Sequence, residues 1–141
     1  MPDIRIDVDD NPKPEDIAAV HAGLRKFNQG HFPQEERRPL SLFVRDGQGQ
    51  IVGGLLAETG STWLHVSTLW LDESLRGQGL GSRLLKMAEE HARKRGCRHA
   101  WLDTFSFQAR PFYEKLGWRV VGQIDGLPPG ETKYFLRKDL V

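Results

Sequence analysis

Three glycines at alternate positions, Gly77, Gly79 and Gly81, stand at the start of the longest amphipathic stretch of the chain. Residues 63–71 before them have the pattern of a strand, and residues 79–95 carry apolar side chains at helical spacing. A glycine-rich turn between a strand and a helix N-terminus lets backbone N–H groups converge on an anion, and the helix dipole favours negative charge there. The pattern therefore favours a phosphate-binding loop over an unoccupied glycine turn.

Two other kinds of phosphate loop are excluded by the sequence around these glycines. The Gly-Lys-Ser/Thr ending of a P-loop is absent, and the spacing is G-x-G-x-G instead of the dinucleotide fingerprint G-x-G-x-x-G. Asp103 follows about twenty residues later, where a ribose-binding acid would stand. However, the strands before the loop are predicted to be antiparallel, whereas a dinucleotide fold needs parallel ones.

The remaining pattern predicts one α+β domain over residues 1–141. A mass of 16.0 kDa fits one domain, and no repeat, linker or low-complexity tract divides the chain. The segment 28–39 is either a loop or a short second helix. In chain order, the predicted elements are a strand at 4–8, a helix at 14–27, strands at 40–44, 51–57 and 63–71, a helix at 79–95, a strand at 99–104, a helix at 108–116 and strands at 118–124 and 132–137.

The composition narrows the class of protein. Twenty Lys and Arg residues against 19 Asp and Glu give a net charge of +1, which argues against a globally basic nucleic-acid binder. The single cysteine, Cys97, excludes an intramolecular disulfide and a Cys-rich zinc site. No apolar run is long enough to span a membrane, and the N-terminus lacks a signal-peptide pattern. We expect a cytoplasmic protein that binds neither nucleic acid nor membranes.

Two separated motifs resemble the GNAT family of N-acetyltransferases. Residues 76–81, Arg-Gly-Gln-Gly-Leu-Gly, match the family's R-x-x-G-x-G acyl-CoA signature. Residues 106–121 resemble its N-x-x-A-x-x-x-Y-x-K-x-G-F segment, with Ser106 where the family often has an Asn that contacts the pantetheine arm. The resemblance implies a three-layer α/β/α fold whose mixed, mostly antiparallel sheet contains a splayed strand pair that forms the acyl-CoA cleft.

The same resemblance implies acetyl-CoA or coenzyme A as cosubstrate, and no metal. Backbone amides of the loop would hold the pyrophosphate, and the end of strand 63–71 would bond to the pantetheine amides as an added strand does. A backbone N–H near Leu69 would polarise the acetyl carbonyl. The implied cofactor-binding residues are Leu69, Trp70, Leu71, Arg76, Gly77, Gln78, Gly79, Leu80, Gly81, Ser82, Ser106 and Tyr113.

Tyr113 aligns with the residue that protonates the departing thiolate in many members of the family. The alternative is that Tyr113 only packs beside Phe112 and Leu116 on a short helix. We favour the catalytic role because the motif places this hydroxyl at the sulfur.

The resemblance implies a general base near the position of His65 on the strand 63–71, and His65 is the predicted base because the attacking amine must lose a proton and imidazole titrates near neutral pH. A lone histidine on a strand is, however, more often a surface or packed residue. Glu58, Asp103 and Glu131 are further proton acceptors that the sequence does not rank.

Basic residues are concentrated around the long helix. Seven Lys or Arg residues lie between positions 76 and 98, against two Glu. They form either a solvated helix face or, through Arg83 or the nearby Arg110 and Lys115, a contact to the 3′-phosphate of CoA.

These observations predict an N-acetyltransferase that moves the acetyl group of acetyl-CoA to a primary amine by direct attack in a ternary complex. The alternative is a non-catalytic acyl-CoA-binding or interaction module of the same fold. The expected partner is a small-molecule or peptide amine, and the resemblance allows a homodimer. The sequence does not identify the acceptor.

Overall fold

The computed structural model describes residues 3–32 and 37–141, and the chain divides into two compact units, 1–34 and 35–141. The first unit holds helix α1, Pro14–Asn28. Proline suits the first turn of a helix, where its missing N–H would have no partner. The predicted helix at this place is confirmed.

The predicted strand at 4–8 is wrong, because residues 3–9 have no regular secondary structure. Alternating apolar residues are a property of one segment, whereas a strand also needs a neighbour that accepts and donates its backbone hydrogen bonds. In the segment 28–39, left open above, residues 29–32 form turns and a bend, and residues 33–36 lie outside the described part.

The second unit is built on a six-stranded sheet in the order β1-β2-β3-β4-β6-β5. Neighbouring strands are antiparallel except β3 and β4, which are parallel, so the predicted mixed and mostly antiparallel sheet is confirmed. The strands are β1 (Arg38–Arg45), β2 (Ile51–Gly60), β3 (Trp63–Leu71), β4 (His99–Phe105), β5 (Arg119–Asp125) and β6 (Thr132–Asp139); the helices are α2 (Leu80–Lys94) and α3 (Arg110–Lys115), and a short 3-10 turn covers Glu73–Leu75.

Both hairpins before the glycine-rich segment depend on turn chemistry. In the β1–β2 turn, the Asp46 carboxylate accepts hydrogen bonds from the N–H groups of Gln48 and Gln50 at 2.8 and 3.0 Å. In the two-residue β2–β3 turn, Ser61 and Thr62 both have positive φ, as the tight turn of a twisted hairpin requires. The two turns fix the order in which β1, β2 and β3 lie side by side.

Helix α2 covers one face of the sheet, here called the core face. Its Leu85 and Ala88 are fully buried, as are Leu55, Leu64 and Leu136 on the strands. Burial of a leucine side chain contributes roughly 1.5–3 kcal/mol, so this layer stabilises the second unit. The other face, here called the opposite face, carries the side chains that alternate with these along each strand.

The sheet opens between its two central strands. In the part of the chain that the structure describes, β3 and β4 are paired only at Trp63↔His99, Leu64↔Ala100 and His65↔Trp101. Beyond these pairs β3 continues to Leu71 and β4 to Phe105. The two strands therefore separate into a cleft, as the splayed pair predicted above requires.

Candidate active site

The glycine loop, residues 76–81, joins the far end of β3 to α2 beside this cleft. Gly77 and Gly79 have φ of 76° and 81°, in the left-handed region that favours glycine, and Gly79 is the N-cap of α2. The first helical bond runs from Arg83 N–H to Gly79 O at 3.1 Å, so the N–H groups of Leu80, Gly81 and Ser82 precede the helical ladder. These amides and the helix dipole can bind an anion such as a phosphate.

Gly81 has a different reason to be glycine. A Cβ at this position would lie 3.1 Å from Cζ of Phe112, whereas nothing lies within 4 Å of a Cβ at Gly77 or Gly79. Gly81 therefore lets α2 approach α3 closely, and its N–H is also one of those that precede the helical ladder. The sequence interpretation, which treated all three glycines as exposed backbone, missed this packing role.

Side chains near the loop hold it in place. Arg76 Nε donates to Leu71 O at 3.2 Å, and Gln78 Nε2 donates to Ser74 O at 3.3 Å. Asp72 accepts hydrogen bonds from the hydroxyl and N–H of Ser74, and these bonds lower the pKa of the Asp72 carboxyl. Arg76, predicted to contact the cofactor, thus braces the loop in this structure.

The wall of the cleft formed by β3 carries backbone groups that do not pair with β2, of which Leu71 O accepts the hydrogen bond from Arg76. Asp72 N–H donates to Val52 O at 2.8 Å, toward β2. Because backbone direction alternates along a strand, Leu71 and Leu69 point their N–H and C=O groups away from β2, into the cleft. The side chain of Trp70 lies on the opposite face and is 48% exposed. Leu69, Trp70 and Leu71 therefore line the gap in the sheet.

An irregularity in β3 lies at the base of the cleft. Leu56 pairs with Thr68 while Ala57 pairs with Val66, which leaves Ser67 as an extra residue in β3. The Ser67 hydroxyl donates to Leu56 O at 3.1 Å. This bulge keeps Leu69 on the core face, and no feature of the sequence pattern predicted it.

Tyr113 is in the core, on α3. Its ring meets Phe112 and Trp118 edge-on, at centroid distances of 5.1 and 6.3 Å. Burial raises the pKa of the Tyr113 hydroxyl to about 12, so this group keeps its proton throughout the neutral range. The packing of Tyr113 is thus observed, whereas its role as proton donor to the thiolate stays a prediction.

His65 lies at the last register position before β3 and β4 separate, on the opposite face. Its imidazole stacks on the Trp101 indole, with centroids 3.9 Å apart and planes 9° apart. The helix that carries Tyr113 packs on the core face. The two predicted catalytic residues are thus on different faces of the sheet, with the cleft between them.

Ser106 begins the connection from β4 to α3. Its hydroxyl donates to Glu131 and accepts a hydrogen bond from Thr132 N–H at 2.9 Å. These bonds tie the β4–α3 connection to the β5–β6 turn. In this structure Ser106 therefore has an internal structural role, and its predicted contact with the pantetheine arm stays a prediction.

The basic residues divide between structural and exposed ones. Arg93 Nε donates to Leu140 O at 2.6 Å, and Arg95 Nη1 donates to Thr59 Oγ1 at 3.1 Å. Arg110 lies 4.6 Å from the Tyr134 ring centroid, and its hydrogen bonds to Tyr134 and Glu114 raise the pKa of its guanidinium. Arg83, in the first turn of α2, and Lys115, at the end of α3, are both exposed, and their contact with a phosphate stays a prediction.

A buried ion pair that the sequence analysis did not foresee joins α2 to β6. The Glu89 side chain is almost fully buried, and its Oε1 lies 2.8 Å from Lys138 Nζ. Lys138 also donates to Leu116 O, at 2.7 Å, just after α3. In the sequence, Glu89 lies four residues before Arg93 in a charged stretch that is typical of a solvated helix face. The pair with Lys138 is therefore visible only in the three-dimensional structure.

The described residues, 3–32 and 37–141, contain neither a candidate metal-ligand cluster nor a helix that could span a membrane. No group of three or more potential metal-ligating side chains was found there. None of the helices in these ranges has the length and apolar character needed to cross a bilayer.

A mostly antiparallel sheet that opens beside a glycine loop at a helix N-terminus is the arrangement of a GNAT acetyltransferase. Residues 5–118 match the family model described as "Acetyltransferase (GNAT) family". The chain belongs to this family and is an acetyltransferase.

Known proteins are similar over most of the chain. The blasticidin-S acetyltransferase of Streptomyces morookaense is 41% identical over 112 residues, which are 77% of this chain and 82% of that protein. The crystal structure of an acetyltransferase from Bacillus cereus is 32% identical with a TM-score of 0.85, and the match covers 94% of this chain and 97% of that one. An aminoglycoside 6′-N-acetyltransferase solved with coenzyme A shares the fold, at 19% identity and a TM-score of 0.63, over 98% of both chains.

Proposed function

We propose that the protein transfers the acetyl group of acetyl-CoA to a primary amine by direct attack within a ternary complex. The observation that carries the proposal is the cleft between β3 and β4, which has the glycine loop at its mouth and a catalytic candidate on each face. Membership in an acetyltransferase family supports acetyl-CoA as the donor.

The glycine loop and the first turn of α2 suit the pyrophosphate. Left-handed Gly77 and Gly79 leave the surrounding space open for phosphate oxygens, and the amides up to Ser82 can donate to them. Arg83, exposed in the same turn, adds positive charge. The pantetheine arm then follows the Leu69 N–H and C=O groups and the Leu71 N–H, because its amides can take the place of the missing neighbouring strand.

The reaction needs two proton transfers and one new bond. The neutral amine nitrogen attacks the thioester carbon, a tetrahedral intermediate forms, and the C–S bond breaks to release the CoA thiolate. The Leu69 N–H, directed into the cleft, is suited to stabilise the developing oxyanion. The amine proton leaves to a base on the opposite face, and the thiolate takes a proton on the core face.

Tyr113 suits the thiolate side. A pKa of about 12 keeps the hydroxyl protonated and ready to donate. An ordinary thiol has a pKa of about 8.5, so the free tyrosine is a weaker acid than the thiol that it would produce. Tyr113 therefore acts as a hydrogen-bond donor that stabilises the leaving thiolate, and the thiolate takes its proton from solvent, to which the base returns the proton of the amine.

His65 suits the amine side. Its stack on Trp101 holds the imidazole at the point where the strands separate. Two of the alternative acceptors are engaged elsewhere, since Glu131 accepts from Ser106 and Glu58 lies 3.4 Å from Arg37. His65 is the base that we propose, acting directly or through a water molecule, and Asp103, which lies 3.8 Å from Lys133 Nζ, is the remaining alternative.

The test is CoA thiol release with a panel of amines, in which blasticidin S is the first acceptor because a relative is named for it. Tyr113→Phe should lower kcat about 100-fold and change acetyl-CoA affinity less than threefold, since the ring stays in place. Tyr134→Phe is the matched control, because Tyr134 lies on β6 against Arg110, and it should keep its kcat. Tight acetyl-CoA binding with no turnover of any amine would instead identify a non-catalytic binding module.

A further inference from the structure

The opposite face of the sheet carries two places where a cationic side chain lies against aromatic rings and a carboxylate. In the first, the lower site, the Arg137 guanidinium carbon lies 4.9 Å from the Trp63 ring centroid. Arg137 Nη2 donates to Asp139 Oδ1 at 3.1 Å, and His99 Nδ1 lies 2.8 Å from the same oxygen. The lower site is thus filled by a planar cation that is both stacked and hydrogen-bonded.

The second place, the upper site, repeats this arrangement further along the strands. Lys133 Nζ lies 5.5 and 5.6 Å from the ring centroids of Phe105 and Phe135, and 3.8 Å from Asp103 Oδ1. A distance of 3.8 Å is too long for a hydrogen bond. The upper site therefore attracts an ammonium group through charge and ring faces without holding it by a hydrogen bond.

The two sites differ in what lies next to them. Trp63 and His99, in the lower site, are paired across β3 and β4. Asp103, in the upper site, lies two residues beyond Trp101, the last residue of β4 that is paired with β3. The carboxylate is thus on the wall of the cleft, on the face that carries His65. A ligand that enters from this face can reach Asp103, whereas the lower site is closed by its own Arg137.

A planar cation would fit the upper site better than the lysine that occupies it. A guanidinium or amidinium group stacks on aromatic faces and binds a carboxylate with two parallel hydrogen bonds, and it is less strongly hydrated than an ammonium. The Lys133 side chain has a flexible stem, so its ammonium group can leave the upper site. On the basis of the proposed function, we propose that the upper site binds a planar cationic group of the amine acceptor, which displaces Lys133.

The spacing along β4 sets the size of such an acceptor. Trp101 and Asp103 point to the same face and are about 6.6 Å apart along the strand, at 3.3 Å per residue. Trp101 stacks with the proposed base, His65. The acceptor amine and its planar cation should therefore be separated by about this distance, which a four-carbon chain or a benzene ring provides.

The experiment is titration calorimetry on the full chain saturated with CoA, using two pairs of probes that differ in charge only. The flexible pair is agmatine and N-(4-aminobutyl)urea, and the rigid pair is 4-(aminomethyl)benzamidine and 4-(aminomethyl)benzamide. We expect the charged member of at least one pair to bind at least tenfold more tightly. Asp103→Asn should abolish the preference, and Lys133→Met should increase it. Asp139→Asn, in the lower site, is the matched control and should leave it unchanged.

Equal binding of the charged and neutral members in both pairs overturns the proposal, as does a preference that survives in Asp103→Asn. Because binding is measured without turnover, the result is independent of catalysis. If the charged probes bind through Asp103 but no amine releases CoA thiol from acetyl-CoA, the proposed function fails and the cation site stands.

Discussion

The two ends of helix α2 differ in whether their polar groups have partners within the chain. At the C-terminal half, Glu89 is paired with Lys138 at 2.8 Å, and Arg93 donates to Leu140 O at 2.6 Å. At the N-terminal end, left-handed Gly77 and Gly79 are exposed, and the first amides precede the helical ladder. The polar groups at the C-terminal half, the satisfied end, thus have partners within the chain. The first N–H groups at the N-terminal end, the open end, can bind an anion.

This difference separates stability from binding within one element. Substitutions at the satisfied end should change the free energy of unfolding and leave ligand affinity alone, whereas substitutions at the open end should lower ligand affinity beyond what backbone strain alone explains. Three variants of graded effect test the separation.

The largest effect is expected for Gly79→Asp at the open end. The new carboxylate would place negative charge at the helix N-terminus, where we propose the pyrophosphate, so CoA affinity should fall at least 100-fold in titration calorimetry. Gly49→Asp is the matched control, because Gly49 has the same φ of 81° and nothing within 4 Å of its Cβ. It should suffer the same backbone strain and keep its CoA affinity. Equal losses in both variants would mean that strain alone explains the effect.

Lys138→Met should have the next largest effect, at the satisfied end. It leaves the buried Glu89 carboxylate without its closest cation, which should lower the free energy of unfolding by about 3 kcal/mol in urea titrations. Addition of Glu89→Gln should recover part of this loss, because the unpaired charge is then removed. CoA affinity should stay within threefold. A loss below about 1 kcal/mol would show that Arg93, 3.7 Å from Glu89, is a sufficient partner.

Gly81→Ala should have the smallest effect and lies at the boundary between the two regions. Alanine favours the helix by about 1 kcal/mol, but its Cβ would lie 3.1 Å from Phe112 Cζ. We expect the close contact with Phe112 to outweigh the gain in helix propensity, with a net destabilisation of about 0.5 kcal/mol. In a Phe112→Leu background the close contact is removed, so Gly81→Ala should become stabilising. The difference between its effects on the free energy of unfolding in the two backgrounds measures the contact with Phe112. If the sign is the same in both backgrounds, helix packing is not the reason for this glycine.

The sequence predicted those parts of the molecule whose causes are local. The glycine loop and α2 each depend on residues that are close along the chain. Residues 4–8 show the limit of this reasoning, because their alternation satisfied the strand pattern and still gave no strand.

The features that the sequence did not predict depend on residues that are far apart along the chain. Glu89 and Lys138 are 49 positions apart, and nothing in their local patterns marks either as buried. The bulge at Ser67 follows from how β2 and β3 fit together. The assignment of Tyr113 and His65 to different faces likewise required the structure, because the motifs do not specify the faces of the sheet.

The three-pair junction between β3 and β4 has a consequence for the abundance of the protein. On the proposed function, the cosubstrate fills the gap that the short junction leaves in the sheet, so it binds the folded chain and not the unfolded one. At 100 times its Kd, such a ligand adds about 2.7 kcal/mol to the free energy of unfolding. The folded fraction, and with it resistance to proteolysis, would then rise and fall with the supply of acetyl-CoA.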